Sequence, residues 1–149
     1  IPRLIDLGAE PFLVASALNA IIGQRIARKI CPTCRVEHTP ESIITENIRK
    51  ILGPLIPADK VIKLYKGSGK IADQPCNNCG GSGYYGRVGI FEVFSVNDAI
   101  SKLILSRATM NSIEDQAVKD GMINMKQDGY LKTLEGITTL EEVLRIAED

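Results

Sequence analysis

The sequence predicts an α+β fold, mostly helical, on three observations. Apolar residues recur at helical spacing near the start of the chain and again from Ser95 onward. Two strand-like runs, Val61–Tyr65 and the glycine-punctuated Tyr85–Phe94, lie between those stretches. Four cysteines in two Cys-x-x-Cys pairs flank a sizeable insertion and would staple it into a small α/β subdomain.

The elements follow in order. From about Pro11 to Ile30, Leu13, Val14, Ala17, Leu18, Ile21, Ile22, Ile26 and Ile30 form one broad helical face. Arg25, Arg28 and Lys29 crowd its last turns, where cations suit the carbonyl end of a helix. Thr39-Pro40-Glu41 reads as a helix start, with Thr as cap and Pro in the first turn. Ile43, Ile44, Ile48, Ile51 and Leu52 then supply a buried stripe that Gly53-Pro54 ends. A hairpin or small sheet beside the cysteines would pair the two strand-like runs.

Only helices are expected after Ser95. Ile100, Leu103 and Ile104 mark the first, and Ile113, Ala117 and Val118 the second, which Gly121 ends. Met122, Met125, Tyr130, Leu131 and Leu134 belong to a third, ended by Gly136, with the methionines as core filler. Thr138-Thr139-Leu140-Glu141-Glu142 offers a capping box, Thr followed three residues later by Glu, before Val143, Leu144 and Ile146.

Composition excludes several classes. The chain has 149 residues, 44% of them hydrophobic and 24% charged, enough for a packed core. Eighteen Lys and Arg balance eighteen Asp and Glu, and aromatics are 5%, which argues against a nucleic-acid binder. No run approaches the roughly 18–20 apolar residues of a membrane span, and no signal-peptide pattern opens the chain. The start at Ile1, in mid-stride before a helix, reads as a piece of something longer.

The cysteine pairs are Cys31-Pro32-Thr33-Cys34 and Cys76-Asn77-Asn78-Cys79. Two intervening residues let both sulfurs of a pair turn toward one point, the bite of a tetrahedral ion. Together the pairs make a full thiolate set, which favours one structural zinc, or iron in a rubredoxin-like setting, over magnesium or calcium. Two disulfides suit short secreted chains with weak cores, and a redox-active pair comes singly. With four protein ligands the tetrahedron is full, so the metal holds structure and activates no water. Gly80, Gly81, Ser82 and Gly83 let the backbone fold tightly and aim N–H groups at sulfur. Arg28, Lys29, Arg35 or Lys70 are candidates to offset the excess negative charge of four thiolates. His38, the single histidine, is an alternative ligand or a plain surface residue.

Gly67-Ser68-Gly69-Lys70 imitates the end of a phosphate-binding loop, but Leu64 stands where the first Gly belongs and Ile71 replaces the hydroxyl residue. It reads as a glycine-rich turn entering the second cysteine pair.

Four stretches together carry a family resemblance, three of them in the first two thirds of the chain. These three are Asp6-Leu7-Gly8-Ala9-Glu10-Pro11-Phe12-Leu13-Val14-Ala15-Ser16-Ala17-Leu18, then Gln24-Arg25-Ile26-Ala27-Arg28-Lys29-Ile30 running into Cys31–Cys34, and Cys76–Cys79 followed by Gly83-Tyr84-Tyr85-Gly86-Arg87-Val88-Gly89-Ile90-Phe91-Glu92. With Gly136-Ile137-Thr138-Thr139-Leu140-Glu141-Glu142-Val143 near the end, the chain closely resembles the ATPases of type II secretion and type IV pilus assembly. The resemblance implies a RecA-like ATPase domain assembled as a homo-hexamer, with the tetracysteine insertion binding zinc through Cys31, Cys34, Cys76 and Cys79. It implies a mechanical ATP hydrolase that drives pilin or pseudopilin assembly. That enzyme would lie on the cytoplasmic side, peripheral at the inner membrane, with a membrane platform and other assembly-machine proteins as partners.

On that likeness, residues 1–30 are the closing helix of the RecA-like core, 31–94 the zinc subdomain with a small β element, and 95–149 a helical C-terminal subdomain. The phosphate loop and Walker B carboxylates of the family would lie upstream of Ile1. No catalytic or nucleotide-binding residue is therefore assigned here, ATP and Mg2+ belong to the parent, and this piece alone is not expected to hydrolyse ATP. Gln24 and Arg25 fall in a family motif, where they would meet a neighbouring subunit or the nucleotide site, or simply cap a helix. The zinc would either stiffen a docking protrusion or serve only to fold the insertion. A different class also fits part of the chain: Cys76–Gly83 resembles the C-x-x-C-x-G-x-G unit of DnaJ-type chaperones, a stand-alone zinc-binding interaction module, with a zinc ribbon as a third reading.

Overall fold

In the computed structural model, which describes residues 1–147, Pro2 and Pro11 open two short helices, α1 (Pro2–Asp6) and α2 (Pro11–Ala17). Proline fits the first turn, whose amides have no helical partner. The helix expected to run on to Ile30 ends at Ala17. From Ala20 the chain is instead a long strand, β1 (Ala20–Ile30), paired with β6 (Tyr84–Ser95). Ile21, Ile22, Ile26 and Ile30 are β-branched and Gly23 interrupts them, a composition that disfavours helix even where the spacing allows it. Exposure along Ala20–Ala27 alternates with period two, as a strand requires. Arg25, Arg28 and Lys29 accordingly lie on a strand and cap no helix.

The chain forms two compact units, Ile1–Gly23 with Glu92–Asn124, and Gln24–Phe91 with Met125–Asp149. This division differs from the three consecutive segments expected, because β1 and β6 each change unit along their length. In the first unit, α4 (Asp98–Leu105) and α5 (Met110–Lys119) pack with α2 around Val14, Ile100, Ile104, Ile113, Ala117 and Met122. Asn97 caps α4 by accepting from the Ile100 amide, and Thr109 caps α5 by accepting from Ser112. Val118, expected on the buried stripe of α5, is half exposed.

Both helices close in the same way. The amide after the left-handed residue reaches back to the helix, Ala108 to Leu103 and Met122 to Ala117, each at 2.9 Å. Gly121 (φ 95°) takes the left-handed position without strain, whereas Arg107 (φ 53°) holds it with a side chain.

The second unit holds β2 (Arg35–His38) and β3 (Leu64–Gly67), antiparallel from Arg35 opposite Gly67 to His38 opposite Leu64. The expected pairing of the two strand-like runs does not occur, since β3 pairs with β2 and β6 with β1. A tight hairpin joins β4 (Lys70–Ile71) to β5 (Gln74–Pro75) through Ala72 and Asp73, both at positive φ as such a turn demands.

Helix α3 (Ser42–Leu52) begins after Glu41 with no side-chain cap, so Thr39 does not cap it. Ile48 and Leu52 of α3 join Ile56, Ile62, Leu64, Tyr130 and Val143 in the core, while Ile43, off that face, is exposed. Met125 opens α6 (Met125–Leu134), whereas Met122 precedes that helix and belongs to the first unit. Helix α7 (Leu140–Ala147) crosses α6 closely at Gly129, where a Cβ would stand 2.5 Å from a Val143 methyl.

Candidate metal centre

The cysteines occupy two knuckles at strand ends, the first between β1 and β2, the second between β5 and β6. Backbone hydrogen bonds tie the two knuckles to two glycine-rich segments, 67–70 and 80–83. The Cys31 amide donates to Gly83 O (2.9 Å), Cys76 to Gly69 O (2.8 Å) and Ser68 to Cys34 O (2.9 Å). Only glycine permits this approach. A Cβ on Gly83 would lie 2.6 Å from Gly67 O, and one on Gly69 would lie 2.3 Å from Gly81 O. The Gly67–Lys70 segment links β3 to β4 and packs backbone to backbone against Gly81–Gly83, while the β4–β5 hairpin, not this turn as expected, leads into the second knuckle.

This arrangement brings four sulfurs together. Cys31 and Cys76 Sγ are 3.9 Å apart, Cys34 and Cys79 Sγ 3.8 Å, and all four lie within 4.8 Å of one another. The cysteines are unbridged thiols. A thiolate–zinc distance of about 2.3 Å implies sulfur–sulfur edges of about 3.8 Å in a tetrahedron, so the cluster has the size and donor chemistry of a four-thiolate site. Cys31 and Cys76 are fully buried, and Cys34 nearly so. His38 lies on β2 outside the cluster, its Nδ1 buried with no hydrogen-bond partner among the described residues.

Charge on the sulfurs is met by N–H groups. Burial alone would raise the Cys31 thiol, but the Asn78 amide and the backbone N–H groups of Cys34 and Thr33 bring it down to about 6. Burial pushes Cys34 up to about 11, opposed by the Gly69 amide. Cys79, raised by burial, is lowered on balance by the Gly83 and Gly81 amides and by the neighbouring cysteines. The Gly83 amide donates to Cys79 Sγ at 3.3 Å, the use expected of this glycine run.

Two of the arginines expected beside the thiolates are engaged elsewhere. Arg35 stacks over Tyr65, 5.2 Å from the ring centroid. Arg28 stacks on Tyr84 at 4.1 Å and pairs with Glu142, an interaction that residue spacing alone does not reveal. The capping box forms only in half. Thr139 Oγ1 accepts from the Glu142 amide (3.3 Å), but the Glu142 carboxylate turns to Arg28 and Arg145 rather than back to the helix start. A glutamate in the first turn of α7 is the one signal in the sequence, and it points to the cap alone.

A family model for type II/IV secretion system proteins matches residues 1–145. The chain belongs to this family. It is 40% identical over 144 residues to the type IV pilus assembly ATPase PilB of Thermus thermophilus, covering 97% of this chain and 15% of that protein. It is 37% identical to the type IV pilus assembly ATPase PilB of Pseudomonas aeruginosa, over 99% of this chain and 24% of that protein. It is also 35% identical to the type II secretion system protein E of Aeromonas hydrophila, over 100% of this chain and 27% of that protein. The chain thus spans 15% to 27% of the length of these relatives. Family membership runs through both units, whereas the DnaJ-type likeness is confined to Cys76–Gly83. No described helix is long and apolar enough to cross a membrane.

Proposed function

We propose that this chain is the zinc-bearing part of a secretion or pilus-assembly ATPase, with Cys31, Cys34, Cys76 and Cys79 holding one structural zinc. The supporting observation is the meeting of four thiols within 4.8 Å, built by two knuckles far apart in sequence. The four ligands fill a tetrahedron, so zinc when bound supplies cross-linking and no open position for chemistry. Its role is to fold the insertion: the hairpin β4–β5 and the strand pair β2–β3 converge on the knuckles, and little apolar core lies there besides the sulfurs.

The parent protein hydrolyses ATP with Mg2+ as a homo-hexamer and passes the motion to a membrane platform and its assembly machine, which adds pilin or pseudopilin subunits. The names of the relatives and the family match support the ATPase and its place in secretion or pilus assembly. The parent works on the cytoplasmic side, peripheral at the inner membrane, and nucleotide chemistry is carried by segments other than this chain.

Metal analysis of the purified chain tests the site: one zinc per chain is expected, and none, with two disulfides, overturns it. For the parent, a nucleotide hydrolysis assay with native mass measurement is expected to show ATP turnover by a six-subunit ring. A nucleotide-inert monomer would overturn that assignment.

A further inference from the structure

The hydrogen bonds that reach the sulfurs divide into two kinds. Most come from backbone amides and are built into the turns, whatever the side chains are. Besides the thiols themselves, one comes from a side chain among the described residues: Asn78 Nδ2 donates to Cys31 Sγ at 3.4 Å. Asn78 belongs to the second knuckle and Cys31 to the first, so this bond bridges the two halves of the site. It ends on a fully buried sulfur. The adjacent Asn77 makes no such bond among the described residues.

We infer that Asn78 positions the Cys31 sulfur and sets how firmly the two knuckles together hold their metal. The inference rests on the zinc reading above. Four thiolates around a divalent ion carry two excess negative charges, and an N–H group aimed at a sulfur draws off part of that charge and fixes the sulfur's direction. Without the Asn78 amide, the N–H donors left to Cys31 come from its own knuckle, the backbone amides of Thr33 and Cys34. The tie between knuckles then depends on backbone bonds and the metal alone. Asn78 is a positioning residue, since it touches a ligand and not the ion.

Asn78→Asp tests this with almost no change of shape, because it replaces the amide donor by an acceptor. Zinc affinity is measured by competition with a chromophoric chelator, and the site is also read by the thiolate-to-metal absorption of bound Co2+. Asn78→Asp is expected to weaken zinc binding by about 10–100-fold and to shift the cobalt bands. Asn78→Ala is expected to weaken it less, and Asn77→Asp, a charge control one residue away, to leave it unchanged. Wild-type affinity and unshifted bands in Asn78→Asp would overturn this role while leaving the zinc site standing. Equal losses in Asn77→Asp and Asn78→Asp would overturn it as well, by assigning the effect to charge alone. A wild-type chain that takes up no zinc and shows no thiolate–cobalt absorption would overturn the zinc reading, and this role with it.

Discussion

Glu142 grips Arg28 by both backbone and side chain. In the second unit, the carboxylate on the first turn of α7 accepts the Arg28 amide at 2.9 Å and the Arg28 guanidinium at 2.7 Å, and also takes Arg145 at 2.9 Å. Just beside it, Thr138 Oγ1 donates to Arg28 O (2.8 Å) and the Ile30 amide donates to Ile137 O (2.9 Å). The Gly136–Val143 motif therefore lies along the end of β1, the strand that delivers Cys31 to the four-cysteine cluster.

This pairing predicts an acid transition. Burial opposes ionisation of Glu142, but Arg145, Arg28 and the Arg28 amide hold its pKa down at about 2. A depressed carboxyl stabilises the fold above its unfolded value near 4.3, and that contribution disappears as pH falls from there through about 2. The full contribution is at most about 3 kcal/mol, reduced because both arginines are half exposed. Glu142→Gln should lower stability at neutral pH by about 2 kcal/mol and flatten the urea midpoint between pH 4.5 and 2. Glu141→Gln, on the exposed neighbour, should leave both unchanged.

Tyr84 and Thr139 should prove energetically coupled. Tyr84 Oη and Thr139 Oγ1 lie 3.0 Å apart, and the same threonine hydroxyl receives the Glu142 amide. Thr139→Val should cost about 1–2 kcal/mol through loss of the cap and of this bond. A double-mutant cycle with Tyr84→Phe should return a coupling of about 0.5–1.5 kcal/mol, measured by chemical denaturation.

Glycines near the cysteines should differ sharply in tolerance. Gly83 combines φ 77° with a Cβ position 2.6 Å from Gly67 O, whereas Gly80 has φ 59° and open space around it. Gly80→Ala should lose about 1 kcal/mol, the backbone term alone. Gly83→Ala should lose more and, by displacing the amide that donates to Cys79, should also lower metal content on zinc analysis.

Metal removal should loosen the second unit locally. Amides of Cys31, Ser68 and Cys76 donate to the carbonyls of Gly83, Cys34 and Gly69 around the two knuckles, so chelation should cost them protection from hydrogen exchange. Ile104 and Ala117, in the core of the first unit, should keep theirs.

Arg107 offers a stabilising change. It occupies the left-handed position that closes α4, a place glycine fills without strain. Arg107→Gly should raise stability by about 0.5–1 kcal/mol in thermal unfolding.

Local chemistry makes several features legible in the amino-acid sequence. The Cys-x-x-Cys spacing, the glycines beside it, the C-terminal helices and strand β6 all follow from near neighbours, because the bite of a knuckle and the period of a helix span only a few residues. Residues 20–30 mislead for the same reason. Their isoleucines fit a helical face, and what decides for a strand is hydrogen bonding to Tyr84–Ser95, which no local window contains. The pairing of β2 with β3, the turn of the Glu142 carboxylate toward Arg28, and the reach of Asn78 to Cys31 are likewise contacts across long stretches of chain. Residue types and their spacing determined which groups could bind a metal. Only the folded chain decided which partners those groups meet, because burial and donor geometry arise when distant segments pack.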